Sequence, residues 1–221
     1  MGSREHDLTQ RLRELPVLEP GGKTFDPEKA PDHPGELFLK WLEDAIDSGA
    51  REPHAMTLST VDSTGRPDSR VLILKGVEDG RWLFATSRES RKGEEIAATP
   101  WAAANFYWSE LGRQVRIRGR VLEAGDNETA RDFLERPAAS RAASLAGNQS
   151  KPLTDPAEVA SAFADAAAEI ESNPRMVPNH WVLFHLAPDE VEFWQSDPER
   201  QHIRLRYELV AGRWSRQRLW P

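Results

Sequence analysis

The sequence predicts a mainly β protein with helical additions, a closed or partly closed barrel. Three observations carry that expectation. About nine short runs of alternating or β-branched apolar residues follow one another with turn clusters between them, the pattern of adjacent antiparallel strands. The helical patterns fall in blocks between groups of strands, so the strict alternation of a doubly wound sheet is absent. The 221 residues, 38% of them hydrophobic, suffice for one sizeable domain that needs neither disulfide nor metal to fold.

Residues 1–34 are polar, carry Pro16, Pro20, Pro27, Pro31 and Pro34, and show little periodicity; they read as a surface arm, partly disordered, which leaves 35–221 as a single domain. A helix over 36–46 follows, with Phe38, Trp41, Leu42, Ala45 and Ile46 as its apolar stripe and Gly49 as its stop. Strands are expected over 55–61 and 69–75, separated by Asp62-Ser63-Thr64-Gly65-Arg66-Pro67. The turn Glu78-Asp79-Gly80 then leads into 81–86. Ser90 is placed to cap a short helix over 91–98 that stops before Pro100. Strands 101–108 and 114–122 are joined by Ser109-Glu110-Leu111-Gly112. The next block is helical: 127–135 ends at Pro137 and 140–146 at Gly147. A third helix opens at the capping-box-like Asp155-Pro156-Ala157-Glu158, buries Val159, Phe163, Ala166 and Ile170, and ends near Asn173-Pro174. Strands 180–186, 190–194, 203–210 and 213–220 complete the chain, with Ala211-Gly212 as the last turn.

The absence of cysteine excludes thiol catalysis, cysteine-ligated zinc and iron–sulfur clusters. His180 and His185 are five apart and fall on different faces of a strand, so no metal site is expected. No apolar run has the length of a membrane span or a signal-peptide core, which makes a cytoplasmic protein with no membrane partner the expectation. A net charge of −7 argues against a nucleic-acid partner. Yet cations cluster at 113–120 and 200–206, and most are arginine, whose rigid fork suits phosphate and carboxylate. An acidic protein with focused arginine sites points to a small anionic ligand.

Several segments could hold it, each with a plain structural alternative. Ser90-Arg91-Lys92 puts two cations where the helix dipole disfavours them, so either they are solvated or an anion sits there. Arg70 and Lys75 flank an apolar strand and fall on opposite faces under strict alternation; snorkelling to water is the alternative. Gln114, Arg116, Arg118 and Arg120 share one strand face; Gln114 has a donor and an acceptor for a heterocycle edge, and a half-exposed barrel strand is the alternative. Gly147-Asn148-Gln149-Ser150 and Arg136-Pro137-Ala138-Ala139-Ser140 read as loops of hydrogen-bonding groups. In the last segment, alternation places Arg200, His202, Arg204 and Arg206 on one face and Ile203, Leu205 and Tyr207 on the other: a cationic groove, or an arginine-protected edge.

Taken in order, these segments resemble the pyridoxamine (pyridoxine) 5′-phosphate oxidase family. The carrying residues are Ala55-Met56-Thr57-Leu58-Ser59-Thr60-Val61-Asp62, Ser90-Arg91-Lys92-Gly93, Arg113-Gln114-Val115, Glu135-Arg136-Pro137, Gln149-Ser150, Glu192-Phe193-Trp194-Gln195 and the run from Arg200 and His202 to Arg204-Leu205-Arg206-Tyr207. The resemblance implies an FMN-binding split β-barrel and a homodimer with FMN at the subunit interface. It implies cofactor contacts from Arg70, Lys75, Ala85, Thr86, Arg91, Lys92, Gln114, Gln149, Ser150, Trp194 and Arg204. It places the substrate phosphate on Lys75, Arg136 and Ser140, and puts Arg200 and His202, the catalytic candidates, over the substrate ring. The implied chemistry is oxidation of pyridoxamine or pyridoxine 5′-phosphate to pyridoxal 5′-phosphate, with O2 reduced to H2O2. Three positions depart from the family pattern. Asp132 stands where a tyrosine usually meets the substrate phosphate, Gln201 replaces a leucine, and the arm has no clear Arg-x-x-Tyr. Gly49-Ala50-Arg51-Glu52-Pro53-His54 and Asn105-Phe106-Tyr107-Trp108 are similar to the phenazine-biosynthesis branch, so an FMN oxidase of another aromatic substrate stays open, as does a non-catalytic flavin- or haem-binding barrel.

Overall fold

The computed structural model describes residues 2–15 and 24–221; Pro16 and Pro20 of the expected arm lie outside them. Its elements are α1 (Gly2–Glu14), α2 (Pro34–Asp47), β1 (Ala55–Val61), β2 (Pro67–Ile73), β3 (Gly76–Glu78), β4 (Arg81–Ser87), α3 (Arg91–Ala98), β5 (Trp101–Trp108), β6 (Arg113–Glu123), α4 (Asp126–Glu135), α5 (Ala138–Leu145), α6 (Ala157–Ser172), β7 (Trp181–Gln195), β8 (Ile203–Val210) and β9 (Arg213–Arg218). All strand pairs are antiparallel, in the order β2-β1-β5-β6-β7-β4-β3, with β8 and β9 continuing from β7.

The sheet branches at β7, which serves two neighbours along one edge. Its first half, through Leu186, pairs with β4, and its second half, from Glu190, pairs with β8, while β6 runs along its other edge. The sequence expectation of two strands, 180–186 and 190–194, is corrected here to one of 15 residues. Pro188 reads as a break, but it sits at the register shift between Arg118 and Gly119, a bulge, where a strand tolerates proline. Gly119 is required at that point: a Cβ there would run into the carbonyl oxygen of Ala187. The short β3 is not visible as a periodic pattern, being three residues long.

Helix α2 plugs the barrel. His33 caps it by accepting from the Gly35 N–H at 3.1 Å, and Leu37, Phe38, Trp41 and Ala45 are buried. Phe38 meets Trp82 and Phe106 edge-on, at 5.2 and 4.9 Å between centroids, and Trp41 meets Phe193 at 5.2 Å. The expected stripe is rotated by one residue, with Leu37 in and Ile46, 56% exposed, out. Residues 24–34 are docked on the barrel. The Phe25 ring packs on Trp41, its N–H donates to Gln195 Oε1 at 2.9 Å, and the Tyr207 hydroxyl donates to the Pro31 carbonyl at 2.7 Å. By contrast, α1 exposes every described side chain.

A smaller core of Phe133, Ala142, Ala166 and Ile170 joins α4, α5 and α6 and includes the Trp181 ring. The expected stripe on α6 is half corrected: Ala166 and Ile170 are buried, but Val159 and Phe163 are exposed because α5 packs only on the later turns. Asp155 accepts from the Ala157 N–H at 2.9 Å, so the helix opens on a one-sided cap rather than a box.

Candidate functional site

The strongest concentration of polar side chains lies where β4 turns into α3. The Ser90 hydroxyl caps α3, accepting from the Gly93 N–H at 3.3 Å, and the helix start borders a cleft of about 360 Å³. Arg70, Arg91, Lys92, Gln149 and Ser150 line it together with Asp68. Lys92 is buried, and its ammonium donates to Thr86 Oγ1 at 3.2 Å, Ser90 Oγ at 3.2 Å and Gln149 Oε1 at 3.3 Å, all neutral acceptors. Burial, then the neighbouring Arg70 charge, push its pKa below that of an ordinary lysine. A buried cation whose hydrogen bonds all go to neutral oxygens is satisfied geometrically but not electrostatically, which is the condition an incoming anion relieves.

The two arginines beside it are braced by carboxylates. Glu95, buried one turn into α3, accepts from Arg91 Nε at 3.1 Å, Arg70 Nη2 at 3.1 Å and Thr60 Oγ1 at 2.5 Å. Asp68 lies 2.9 Å from Arg70 Nη2 and 3.3 Å from Arg91 Nε. The Arg91 N–H donates to Ser150 Oγ at 3.3 Å, which ties the 147–150 loop to the helix start.

A second cluster sits between the end of β2 and the α4–α5 junction. Lys75 Nζ is 3.5 Å from Asp132 Oδ1, while Asp132 Oδ2 is buried and has no hydrogen-bond partner among the described residues. Arg136 caps the end of α4, lies over the Trp181 ring at 4.4 Å, and donates from Nη1 to Ser144 Oγ at 2.6 Å. Burial pulls the Arg136 pKa down and the Asp132 charge pushes it part of the way back. Ser140 joins through its carbonyl, which accepts from Ser144 Oγ at 3.0 Å.

A third set crosses the sheet. Gln114 pairs in register with Trp194, and Trp194 with Arg204, so the three occupy one row across β6, β7 and β8. Gln114 donates to Asn105 Oδ1 at 2.6 Å, which leaves its own carbonyl oxygen available. Arg204 donates from Nε to the buried Glu192 at 2.8 Å and from Nη1 to the Trp220 carbonyl at 3.0 Å. Arg200 and His202 precede β8 in a turn, which corrects the expected alternation: Arg200 is in the left-handed region, φ 62°, so strand geometry does not reach it. His202 Nδ1 accepts from the Asp197 N–H at 3.1 Å, which assigns the proton of the neutral ring to Nε2, and the ring lies 4.9 Å from Trp194. Leu205 and Tyr207 are buried as expected, while Arg206 pairs with Glu208 at 3.2 Å.

The structure therefore brings Arg70, Thr86, Arg91, Lys92, Gln149 and Ser150 together, with Ala85 preceding Thr86 on β4. It groups Lys75 with Arg136 and Ser140 through Asp132 and Ser144. Among the described residues, no hydrogen bond or ring contact joins the Gln114–Trp194–Arg204 row to either group. Glu95, Asp68, Ser144 and Trp181 are the participants that sequence reasoning missed. Only Glu95 left a signal, its i,i+4 spacing from Arg91.

A curled antiparallel sheet, split along β7 and flanked by helices, is the FMN-binding split-barrel fold. The chain belongs to the pyridoxamine 5′-phosphate oxidase family: that family's model matches residues 42–195, and the pyridoxine 5′-phosphate oxidase C-terminal dimerisation region matches 181–221. A pyridoxine/pyridoxamine 5′-phosphate oxidase of Ectopseudomonas mendocina is 42% identical over 195 residues, 87% of this chain and 91% of that protein. One from Chromobacterium violaceum is 42% identical over 206 residues, 92% and 96% of the two chains. Among solved structures, PhzG from Burkholderia lata 383, in complex with tetrahydrophenazine-1-carboxylic acid, matches with a TM-score of 0.86 at 33% identity, covering 92% of this chain and 100% of that one. A related FMN binding protein from Nostoc punctiforme, 20% identical with a TM-score of 0.70 over 89% of this chain and 100% of that one, shares the fold.

Proposed function

We propose that this chain is an FMN-dependent oxidase that converts pyridoxamine and pyridoxine 5′-phosphates to pyridoxal 5′-phosphate with O2 as electron acceptor, a step of pyridoxal phosphate biosynthesis. The observation that carries the proposal is the buried Lys92 ammonium, held by neutral acceptors at the start of α3 beside Arg70 and Arg91. That donor set fits the phosphate of FMN: Lys92 and Arg91 supply charge, and Ser150, Thr86 and Gln149 supply hydrogen bonds. Bound FMN would take two electrons from the substrate and pass them to O2, giving H2O2.

The remaining groups would orient the reactants. Gln114, with one amide end fixed by Asn105, would present its carbonyl oxygen to the flavin's polar edge, and Trp194 and Arg204 would flank it. Among the described residues no hydrogen bond or ring contact joins this row to the Lys92 group within one chain; a homodimer in which each flavin draws on both subunits would accommodate both sets, and the match to a dimerisation region supports it. Lys75, Arg136 and Ser140 would hold the substrate's anionic end. Arg200 would close over its ring, and His202 would offer the Nε2 proton to an oxygen or nitrogen of the substrate. A second reading, an oxidase of a carboxylated aromatic compound, draws support from the Lys75–Asp132 pair and from the carboxylic acid bound by PhzG.

The test is turnover. FMN-loaded protein incubated with pyridoxamine 5′-phosphate is expected to yield pyridoxal 5′-phosphate and H2O2 in equal amounts, with Arg200→Ala and His202→Ala slowing the reaction. No product from flavin-loaded protein would remove the vitamin B6 assignment and leave the second reading.

A further inference from the structure

The substrate-end cluster contains two cations and one carboxylate, and the carboxylate acts on both cations. Asp132 Oδ1 lies 3.5 Å from Lys75 Nζ. Four residues later in the chain, Arg136 feels the same charge, which counters part of the effect of its burial. Asp132 is itself poorly provided for: Oδ2 is buried without a partner, so Lys75 is its principal source of stabilisation. An anion that takes Lys75 for itself must leave that carboxylate uncompensated and face its repulsion at close range. A phosphate monoester carries close to two negative charges at neutral pH, so it meets twice the repulsion a carboxylate does. With Asp132 ionised, the cluster carries one net positive charge instead of two, and that loss costs a dianion about twice what it costs a monoanion.

We propose that Asp132 is a specificity-determining residue, which competes with the substrate's anionic group for Lys75 and so lowers the advantage that a phosphate dianion has over a carboxylate at this cluster. The inference rests on the oxidase reading for the identity of the pocket, but it concerns binding and can be read without turnover. Asp132→Asn keeps the side chain's shape and removes its charge, and retained FMN content and melting temperature show that the fold is intact. Pyridoxal 5′-phosphate and pyridoxal, which lacks the phosphate, are titrated into FMN-loaded wild type and variant, with binding read from the flavin absorbance.

Asp132→Asn is expected to bind pyridoxal 5′-phosphate at least about tenfold tighter while pyridoxal changes less than about twofold. Adding Lys75→Met to Asp132→Asn is expected to abolish the gain, because the effect runs through Lys75. Equal gains for both ligands, no gain, or a gain that survives loss of Lys75 would overturn the proposal. Absence of pyridoxamine 5′-phosphate oxidation in both proteins would instead count against the oxidase reading alone.

Discussion

The two lysine–arginine clusters are built from similar residues and differ in what stands next to the lysine. At the start of α3, Lys92 is buried among Thr86, Ser90 and Gln149, and the nearby carboxylates Glu95 and Asp68 are occupied by Arg70 and Arg91. At the α4 end, Lys75 faces Asp132 directly. The first arrangement holds a cation whose charge is left for a ligand; the second spends much of its charge internally. Geometry alone would rank them as equivalent phosphate sites, and electrostatics separates them. A permanent, dianionic cofactor phosphate suits the first, and a substrate group that must leave after each turnover suits the second.

Substitutions can break this contrast, and they rank by expected size. Glu95→Ala removes the buried carboxylate that braces both arginines and leaves Arg70 partly buried without it. Unfolding free energy is expected to fall by about 3 kcal/mol, read by denaturant titration. Lys92→Met is expected to weaken FMN binding by about 2 kcal/mol, some thirtyfold, in an equilibrium titration, with little loss of apo-protein stability since no carboxylate is orphaned. Arg136→Lys loses the planar stacking on Trp181, and about 1 kcal/mol is expected to appear in substrate KM with kcat nearly unchanged. Arg206→Gln, on the same face of β8 as Arg204 but paired with Glu208 and outside the proposed flavin row, is expected to change stability by less than about 0.5 kcal/mol and FMN affinity not at all.

A pH profile sharpens the same contrast. The folded apo-protein releases the Lys92 proton below the usual lysine value of 10.5, because burial disfavours the ammonium. The resulting penalty on folding is fully present below the folded pKa and disappears above the unfolded one. A bound phosphate reverses the effect by stabilising the ammonium, so FMN affinity is expected to decline as pH rises through the depressed Lys92 pKa. In Lys92→Met that decline is expected to vanish.

Local pattern made much of this legible. Strands 55–61 and 101–108 and the helix 91–98 coincide with β1, β5 and α3, because each is bounded by strong turn or capping residues and has a clear period. Arg91 and Lys92 were legible as an anion site at a helix start, resemblance joined Arg70, Gln149 and Ser150 to them, and all five line one cleft. What failed did so for long-range reasons. Pro188 signals a break when read alone, and only the opposing Gly119 turns it into a bulge. Arg200 and His202 follow strand alternation in sequence but sit in a turn fixed by Asp197, whose Oδ1 accepts from the N–H groups of Glu199 and Gln201 at 2.8 and 3.2 Å. Asp132 was noticeable as a residue type, but its pairing with Lys75 depends on the packing of α4 against the sheet, which no local period encodes.

The central claim is that the α3 start holds the phosphate of FMN through Lys92, and a comparison of FMN with riboflavin tests it most directly, since the two differ only in that phosphate. Titrated into cofactor-stripped protein and followed by quenching of flavin fluorescence, FMN is expected to bind at least about a hundredfold tighter than riboflavin, with most of that ratio lost in Lys92→Met. Equal affinities in the wild type, or a ratio that Lys92→Met leaves intact, would contradict the account.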